Sequence, residues 1–147
     1  MNFCSLKNEY VDEIYKIEKD VFSDSYSVNS IKLLINNNLY RHSLVMLENE
    51  KVVCYIIATE IAGEAEIQRI AVRRDCRRRG YASAIMEHFI KMMKSEGVEK
   101  ILLEVRQSNK AAISLYQKNG FVKVGQRRGY YGDSGEDAIL YTLQIRR

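Results

Sequence analysis

The sequence predicts an α/β fold in which helices flank a mixed central sheet. Strand-like and helix-like patterns alternate along the chain: Lys51–Ile61 is dense in Val and Ile, whereas apolar residues recur at helical spacing after Ala82. The order of elements in the carboxyl-terminal half (strand, helix, strand, helix and two further strands) is typical of mixed sheets rather than of helical bundles. Hydrophobic residues make up 46% of the 147 positions, which is enough to form a core.

The amino-terminal half is expected to hold two helices followed by two strands. Asn8 is predicted to cap the first helix, which carries apolar residues at helical spacing from Val11 to Val21. A shorter helix is predicted over Val28–Ile35. Two strands follow, at His42–Leu47 and Lys51–Ile61, and a tight turn joins them.

The carboxyl-terminal half is expected to hold four strands and two helices. The strands are predicted at Glu66–Val72, Glu99–Arg106, Phe121–Arg127 and Ala138–Ile145. One helix begins near Ala82 and ends near Gly97, and a second is capped by Asn109. The last two strands are expected to form a hairpin across a polar loop.

Length and composition indicate one soluble domain spanning residues 1–147. The longest apolar run, Val52–Ala58, has seven residues, whereas a membrane-spanning helix needs about 20, and the amino terminus lacks a secretory signal pattern. We therefore expect a cytoplasmic protein with no membrane partner. The net charge of +4 is too small to indicate nucleic-acid binding by itself, and we expect no direct DNA binding.

Cysteine and histidine are too few and too scattered for several kinds of site. The three cysteines lack any CxxC spacing, and the chain has two histidines. A zinc site and a histidine-dependent nucleophile are therefore not expected, and neither a metal nor a redox cofactor is indicated. The chemistry must depend on carboxylates, tyrosines and backbone groups.

The sharpest local signal is the basic segment Arg77–Ala82, which lies between a predicted strand and a predicted helix. At such a junction, backbone N–H groups and the positive end of the helix form an anion site, and the small residues Gly80 and Ala82 let a pyrophosphate approach the backbone. The segment is neither a Walker loop nor a dinucleotide GxGxxG motif. Taken alone, it is also compatible with a solvated basic loop or an RNA-binding patch.

This segment and those that follow it resemble the Gcn5-related N-acetyltransferases (GNAT). The R-x-x-G-x-A pattern between a strand and a helix is similar to motif A of that superfamily. The similarity extends over Glu66–Leu143 and is greatest to the bacterial RimI-like branch. The matching motifs are Leu103–Arg106, Ser108–Asn109, Ala112–Ile113, Leu115–Tyr116, Gly120–Phe121, Arg127–Arg128, Tyr130–Tyr131 and Glu136–Ala138.

The resemblance implies a sheet splayed between two strands and acetyl-coenzyme A (acetyl-CoA) as the cosubstrate, from which a free amine takes the acetyl group directly. It implies that backbone groups of Ile70, Ala71 and Val72 align the acetyl carbonyl. The remaining implied cosubstrate contacts are Arg77, Arg78, Arg79, Gly80, Tyr81, Ala82 and Asn109. Because the branch acetylates the N-terminal alanine of protein eighteen of the small ribosomal subunit, the implied partner is a ribosomal protein N-terminus. We expect the protein to act on it as a monomer.

Glu104 interrupts an otherwise apolar strand. Burying a carboxylate costs free energy unless it is hydrogen-bonded or its pKa rises, and both outcomes are common at functional sites. Strand alternation places Glu104 on the face of Leu102 and Arg106, so it can equally be an acid paired with Arg106 or another basic neighbour. The resemblance implies that Glu104 is the general base and acts through water.

Tyr116 and Asn109 each have a structural and a functional interpretation. Tyr116 shares an apolar helix face with Ala112 and Leu115, as a core tyrosine does. The resemblance implies instead that it is the general acid, which protonates the departing thiolate of coenzyme A. Asn109 is a helix cap by its local pattern and a coenzyme A contact by resemblance, and the cap leaves its side-chain nitrogen available.

The acceptor side is represented by Tyr130 and Tyr131 and by a departure from the family pattern. The two tyrosines are compatible with simple strand preference, because the chain holds ten tyrosines; the resemblance implies that they contact the backbone of the acceptor peptide. In the RimI-like branch a Pro-Trp-Ser element borders the acceptor pocket, and Phe22–Ser27 stands in its place here. This departure bears on acceptor specificity.

Two other functions are compatible with the same residues. One is acetyl transfer to a lysine side chain or a small amine, and the other is non-catalytic binding of RNA or the ribosome through the Arg73–Arg79 cluster. An α-amine has a pKa of about 8, whereas a lysine amine has one of about 10.4. A modest base such as Glu104 therefore suits an N-terminal amine better, which favours protein N-terminal acetylation.

Overall fold

A computed structural model describes residues 2–145, which form seven strands and four α-helices. The strands are β1 (Asn2–Ser5), β2 (Leu44–Glu48), β3 (Lys51–Ile61), β4 (Glu64–Val72), β5 (Lys100–Arg106), β6 (Val122–Arg127) and β7 (Ala138–Gln144). The helices are α1 (Val11–Val21), α2 (Val28–Ile35), α3 (Tyr81–Ser95) and α4 (Lys110–Lys118). Three short 3-10 helices lie at Asn8–Tyr10, Asn38–Tyr40 and Arg74–Cys76.

The seven strands form one sheet in the order β1-β2-β3-β4-β5-β7-β6. Neighbouring strands are antiparallel except β4 and β5, which are parallel and are connected through α3. This arrangement confirms the predicted mixed sheet. It also makes the β4–β5 boundary the one place within residues 2–145 where two parallel strands meet, because every other neighbour is antiparallel.

The sheet opens between β4 and β5. The two strands pair from Glu64 with Lys100 as far as Ile67 with Leu103, and no further. Beyond that point β4 stays paired with β3 as far as Val72, and β5 stays paired with β7. The bulged residue of β4 is Gln68, because Arg69 and Ile67 face consecutive residues of β3. A bulge bends its strand, so β4 turns away from β5 directly after their last pair.

Two hydrophobic cores lie on opposite faces of the sheet. On one face the apolar side of α3, including Ile85, Phe89 and Met93, packs with Tyr116 of α4. On the other face, the apolar side of α1 packs with α2 and with alternate residues of β3. The strand β3 is buried on both faces from Val52 to Ala58, which accounts for its nearly unbroken apolar sequence.

The element predictions differ from the structure mainly at the amino terminus. Strand β1 is missing from the predictions, because its four residues carry no recognisable alternation. Asn8 caps no helix; it is the first residue of a 3-10 turn, and its side chain accepts no capping hydrogen bond there. Ser27 caps α2 through its side-chain oxygen, and Asn109 caps α4 as predicted by accepting from Ala112 N at 3.2 Å. The other predicted elements are present, with ends that differ by one or two residues.

Candidate active site

A groove with a volume of about 670 Å³ runs along the open side of β4. Its walls are the end of β4, the loop and first turn of α3, one side of α4 and the end of α1. Among the residues proposed from sequence, the groove is lined by Ile70, Ala71, Val72, Arg77, Arg78, Gly80, Tyr81, Ala82 and Asn109. The groove therefore brings together nine of the ten predicted cosubstrate residues, and Arg79 is the one outside its lining.

The first turn of α3 presents unused backbone donors to the groove. The first helical hydrogen bond at this end runs from Ala84 N to Gly80 O, so the amides of residues 81–83 precede the helical ladder. Gly80 has a φ of 79° and supplies no side chain to cap them. Arg78 also has a positive φ, of 65°. The local backbone thus leaves donors and the positive end of a 15-residue helix open to an anion.

The arginines of the loop divide into two groups. Arg73 pairs with Asp75 at 2.7 Å, and Arg74 pairs with Asp20 at 3.0 Å. In contrast, Arg77, Arg78 and Arg79 form no ion pair with any carboxylate in the described part of the chain. Since Arg77 and Arg78 also line the groove, their charges remain available to an anionic ligand.

Charge distinguishes this groove from a second hollow of similar size. The second hollow, of about 640 Å³, lies between α1 and the loop after β4, and its lining holds the acids Glu13, Asp20 and Asp75 beside its cations. The lining of the first groove contains the cations Arg77, Arg78 and Lys118 and no acidic residue among those described. Only the first groove therefore suits a ligand that carries several phosphates.

Glu104 lies at the start of the opening between the strands. It is the first β5 residue beyond the last β4–β5 pair, and its side chain is 23% exposed. It shares the face of Leu102 and Arg106, as alternation predicts. Its ion-pair partner is Arg127 at 3.4 Å. Arg106 is engaged elsewhere, with Asp133 at 2.9 Å. The structural alternative of an acid paired with a basic neighbour is therefore realised with Arg127 and not with Arg106.

Tyr116 is buried within α4 and packs against other aromatic rings. Its ring centroid lies 5.8 Å from that of Phe121 and 6.3 Å from that of Tyr141. Burial raises the pKa of the Tyr116 phenol to about 12, and nearby Tyr131 adds to the rise. The hydroxyl forms no hydrogen bond within residues 2–145. It is not among the fully buried side-chain atoms that lack a partner, so its oxygen keeps some contact with solvent. A neutral phenol with a free donor is what a general acid requires.

Tyr131 interacts electrostatically with both candidate catalytic side chains, Glu104 and Tyr116. Burial raises its pKa, and the carboxylate of Glu104 and more weakly that of Asp24 raise it further. Its ring lies under the Arg106 guanidinium at 4.1 Å. Tyr130 meets the Tyr131 ring edge-on, with centroids 5.2 Å apart, and is half exposed. Glu104, Tyr116 and Tyr131 therefore form one electrostatic neighbourhood, and Tyr130 borders it.

The structure adds a group of residues that the sequence analysis did not select. Val21 and Phe22, at the end of α1, line the groove, and Arg69 of β4 contacts the segment that follows them. A signal for Arg69 was present, since a cation interrupts the strand Glu64–Val72 much as Glu104 interrupts β5. The sequence marks the segment Phe22–Ser27 only as a departure from the pattern of the resembling branch, and it does not indicate the contact with Arg69.

The profile of a known protein family matches residues 11–121, and its description is "Acetyltransferase (GNAT) family". The chain belongs to the GNAT family. Its resemblance to the RimI-like branch is also confirmed. The chain is 35% identical over 144 residues to the [ribosomal protein bS18]-alanine N-acetyltransferase of Escherichia coli (strain K12), and the match covers 96% of this chain and 95% of that protein.

Solved structures share the GNAT fold. The crystal structure of the ribosomal-protein-S18-alanine N-acetyltransferase from Escherichia coli superposes with a TM-score of 0.91 and 32% identity, covering 99% of this chain and 94% of that one. Arabidopsis thaliana NAA60 in complex with acetyl-CoA shares the fold, with a TM-score of 0.87 at 19% identity over 98% of this chain and 99% of that one.

The family assignment makes this chain an N-acetyltransferase of the acyltransferase class. The predicted GNAT fold, with a mixed sheet that opens between β4 and β5, is therefore confirmed. None of the helices within residues 2–145 combines the length and apolarity needed to cross a bilayer.

Proposed function

We propose that this GNAT protein, acting as one domain over residues 1–147, transfers the acetyl group of acetyl-CoA to the N-terminal alanine of ribosomal protein bS18. The observation that carries the proposal is the match to the Escherichia coli enzyme of that specificity, which covers 96% of this chain. The match therefore includes both the cosubstrate groove and the acceptor-side loops. The groove's shape and charge are consistent with the proposal.

The groove fits the cosubstrate through its charge and its backbone donors. The amides at the start of α3 would hold the pyrophosphate, and Arg77 and Arg78 would neutralise its charge. The unpaired edge of β4 at Ile70–Val72 would accept and orient the acetyl and pantetheine amides, because a strand edge offers unused N–H and C=O groups. Asn109 would contribute its side-chain nitrogen, which the helix cap leaves free.

Glu104 would act as the general base, through a water molecule. An α-amine enters mostly protonated near neutral pH, because its pKa is about 8, and it must lose a proton before its nitrogen can attack the acetyl carbon. The carboxylate stands where β4 and β5 separate, and its side chain is partly exposed, so a water molecule can reach it. As the new C–N bond forms, the nitrogen loses a second proton, which would pass through the water molecule to Glu104.

Tyr116 would act as the general acid. When the C–S bond breaks, coenzyme A leaves as a thiolate that needs a proton. The phenol of Tyr116 is held neutral by burial and has an unused donor. It would donate that proton to the sulfur. Two protons thus leave the ammonium nitrogen, one before the attack and one as the C–N bond forms, while one proton reaches the thiolate and the remaining one goes to solvent. No metal is required for either transfer.

The acceptor would lie between the α1–α2 segment and the β6–β7 loop. Tyr130 and Tyr131 border this space on one side, and the field of Asp24 reaches Tyr131 from the other. An N-terminal amine can reach Glu104 through this opening, and its low pKa suits a carboxylate base. We further propose that the protein works as a monomer in the cytoplasm, since one chain supplies every wall of the groove and ribosomal proteins are made there.

The two alternative functions predict different outcomes. Acetylation of a lysine or a small amine requires the same groove but a different acceptor. Non-catalytic RNA binding would depend on the cluster Arg73–Arg79, and two of its arginines are already neutralised by Asp75 and Asp20. This pairing favours the acetyltransferase over the RNA-binding module.

A test mixes the protein with acetyl-CoA and a peptide that copies the bS18 N-terminus, and follows free thiol and peptide mass. A peptide with a formylated α-amine serves as control. Thiol release with one acetyl group gained by the free peptide, and none by the control, is expected. If no peptide reacts, stabilisation by coenzyme A would overturn only the acceptor. Absence of stabilisation, with RNA binding that weakens steeply with salt, would overturn the enzyme assignment itself.

A further inference from the structure

Arg69 occupies an unusual place for a charged side chain. It follows the bulged residue Gln68 on β4, directly beyond the point where β4 and β5 separate. Its side chain is only 11% exposed and points to the face covered by α1. Burial of a guanidinium is costly unless its charge and its donors are satisfied, so its contacts are informative.

The guanidinium contacts the segment between α1 and α2 at three residues. It lies between two rings, 4.1 Å from the centroid of Phe22 and 4.4 Å from that of Tyr26. Its Nη2 donates to the carbonyl oxygen of Asp24 at 2.7 Å, and its Nη1 donates to the Asp24 carboxylate at 3.3 Å. One side chain therefore touches the beginning, middle and end of the segment.

A second buried charged side chain, that of Glu18, contacts both the Arg69 guanidinium and the same segment. Glu18 of α1 is fully buried, and its carboxylate lies 3.4 Å from Arg69 Nη2. The same carboxylate accepts from the backbone N–H of Tyr26 at 3.0 Å and from the hydroxyl of Tyr55. Glu18 and Arg69 thus balance each other's charge and fix Tyr26 from two directions.

This cluster is not the arrangement that stability alone would favour. Arg69 Nε is the one buried side-chain nitrogen or oxygen in residues 2–145 that has no hydrogen-bond partner. An unsatisfied buried donor lowers stability, and a buried ion pair is often no better than apolar side chains of similar volume. The contacts of Arg69 therefore point to an effect on the geometry of the segment as well as on stability.

The gripped segment has no regular structure of its own. Residues 22–27 lie outside every helix and strand, and the chain contains no proline to stiffen them. Nevertheless Phe22 lines the groove, so the segment supplies part of the groove's wall. Arg69 hydrogen-bonds this wall to β4 through Asp24.

We propose that Arg69 is a positioning residue for the acceptor: by clamping residues 22–26 onto the end of β4, it sets one wall of the opening through which the amine reaches the acetyl group. The inference rests on the proposed function, because it assumes an amine acceptor that enters there.

The kinetic test compares E18Q/R69M with E18Q, so that neither protein carries an unpaired buried carboxylate. In E18Q the amide oxygen can accept from the backbone N–H of Tyr26, as Oε1 of Glu18 does, and the amide NH2 can donate to the hydroxyl oxygen of Tyr55 in place of the bond that Oε2 accepts. We expect the double variant to raise KM for the bS18-like peptide by about tenfold or more, while KM for acetyl-CoA stays within about twofold. R69K should show a smaller rise, because lysine keeps the charge but lacks the planar guanidinium that stacks on the two rings and the fixed fork that reaches both oxygens of Asp24.

The matched control is R41M. Arg41 also joins a backbone carbonyl, that of Asn38, to a carboxylate, that of Glu60, but it does so away from the groove. Both Michaelis constants should stay unchanged in R41M. Equal rises of both constants in E18Q/R69M, or an unchanged peptide KM, would overturn the positioning role.

A structural test is independent of which acceptor is used. In E18Q/R69M the amide of Tyr26 should exchange with solvent at least about tenfold faster than in E18Q, because local opening of the segment is no longer opposed by the clamp. Unchanged exchange would overturn the inference. Faster exchange in a protein whose wild type never acetylates the peptide would support the clamp and overturn the proposed function alone.

A milder variant, D24A, covers the case in which the double variant does not fold. The Asp24 side chain is 74% exposed, so its removal should leave the fold intact while deleting one contact to Arg69. We expect D24A to raise the peptide KM in the same direction and by a smaller factor. No change in D24A together with no change in R69K would contradict the proposal.

Discussion

Glu104 and Tyr116 have opposite surroundings, and these suit opposite proton transfers. Glu104 is partly exposed and has a single ion-pair partner within the described residues, Arg127, whose side chain is itself 54% exposed. Its carboxylate is therefore accessible to a water molecule that can carry a proton. Tyr116 is enclosed by aromatic rings, and its raised pKa keeps it protonated. A carboxylate within reach of water and a phenol that stays neutral are the pair that acetyl transfer to an amine needs.

Replacing Glu104 by Gln should lower kcat by about a hundredfold, because the amine loses its proton acceptor. The melting temperature should change little, since a partly exposed ion pair contributes only about 0–1 kcal/mol. The matched control is E64Q, which removes an acid paired with Lys100 at 3.3 Å at the other end of the β4–β5 boundary. Steady-state thiol release at several pH values measures the effect. A wild-type rate in E104Q would remove the catalytic assignment.

Replacing Tyr116 by Phe should slow thiol release at every pH, by about a hundredfold. Y141F removes a hydroxyl from the same aromatic cluster and should leave the rate unchanged. In the wild type no alkaline loss of rate should arise from Tyr116 below pH 10, its ordinary value, because the folded pKa is about 12. A wild-type rate in Y116F, or an equal loss in Y141F, would contradict the assignment.

The raised pKa of Tyr116 also has a consequence for stability. The pKa of Tyr116 in the folded protein, about 12, lies above the ordinary value of 10.0. The contribution of Tyr116 to the free energy of unfolding is therefore fully present below pH 10 and is lost as the pH rises towards 12. Between these pH values the wild type should therefore lose more free energy of unfolding than Y116F does. Denaturant titrations at both pH values measure the difference.

At the scale of elements, the site depends on two local departures from regular structure. The bulge at Gln68 bends β4 away from β5 and leaves a free strand edge beside Glu104. The left-handed Gly80 begins α3 without a side-chain cap, so the first amides of the helix face the groove. Neither departure strengthens the fold, and both create binding groups where the sheet is open.

Reversing the charges of Arg77 and Arg78 should raise KM for acetyl-CoA by at least about tenfold, because two charge-assisted contacts to phosphate are lost. The control is K91E/K94E, which changes the net charge equally on the exposed side of the same helix. The rise should shrink at high salt, since screening weakens the wild-type contacts too. An unchanged KM in R77E/R78E would leave these arginines as surface residues.

The sequence predicted most elements, and the exceptions have physical causes. The apolar run of β3 is long enough to specify a strand, and the apolar periodicity of α3 is long enough to specify a helix. Both elements lie where they were predicted. β1 is stabilised by pairing with β2 rather than by any pattern of its own. Asn8 looks like a cap, but a 3-10 turn intervenes before α1, which begins at Val11.

At the scale of the whole molecule, residues far apart in sequence meet at one opening of the sheet. Sequence motifs could predict Gly80, Glu104 and Tyr116, because each lies in a segment with a recognisable pattern. They could not predict that Arg69 clamps the α1–α2 segment, or that Glu104 pairs with Arg127 rather than Arg106. Those contacts are decided by strand register and loop course, which no local pattern specifies.

The central claim is that the acceptor is an N-terminal α-amine, and one measurement tests it most directly. A peptide with an N-terminal alanine and an internal lysine is incubated with the protein and acetyl-CoA, and fragmentation mass spectrometry locates the acetyl group. The proposed function predicts acetyl on the α-amine and none on the lysine. Acetyl on the lysine, or an unmodified peptide beside a small amine that is acetylated, would contradict it.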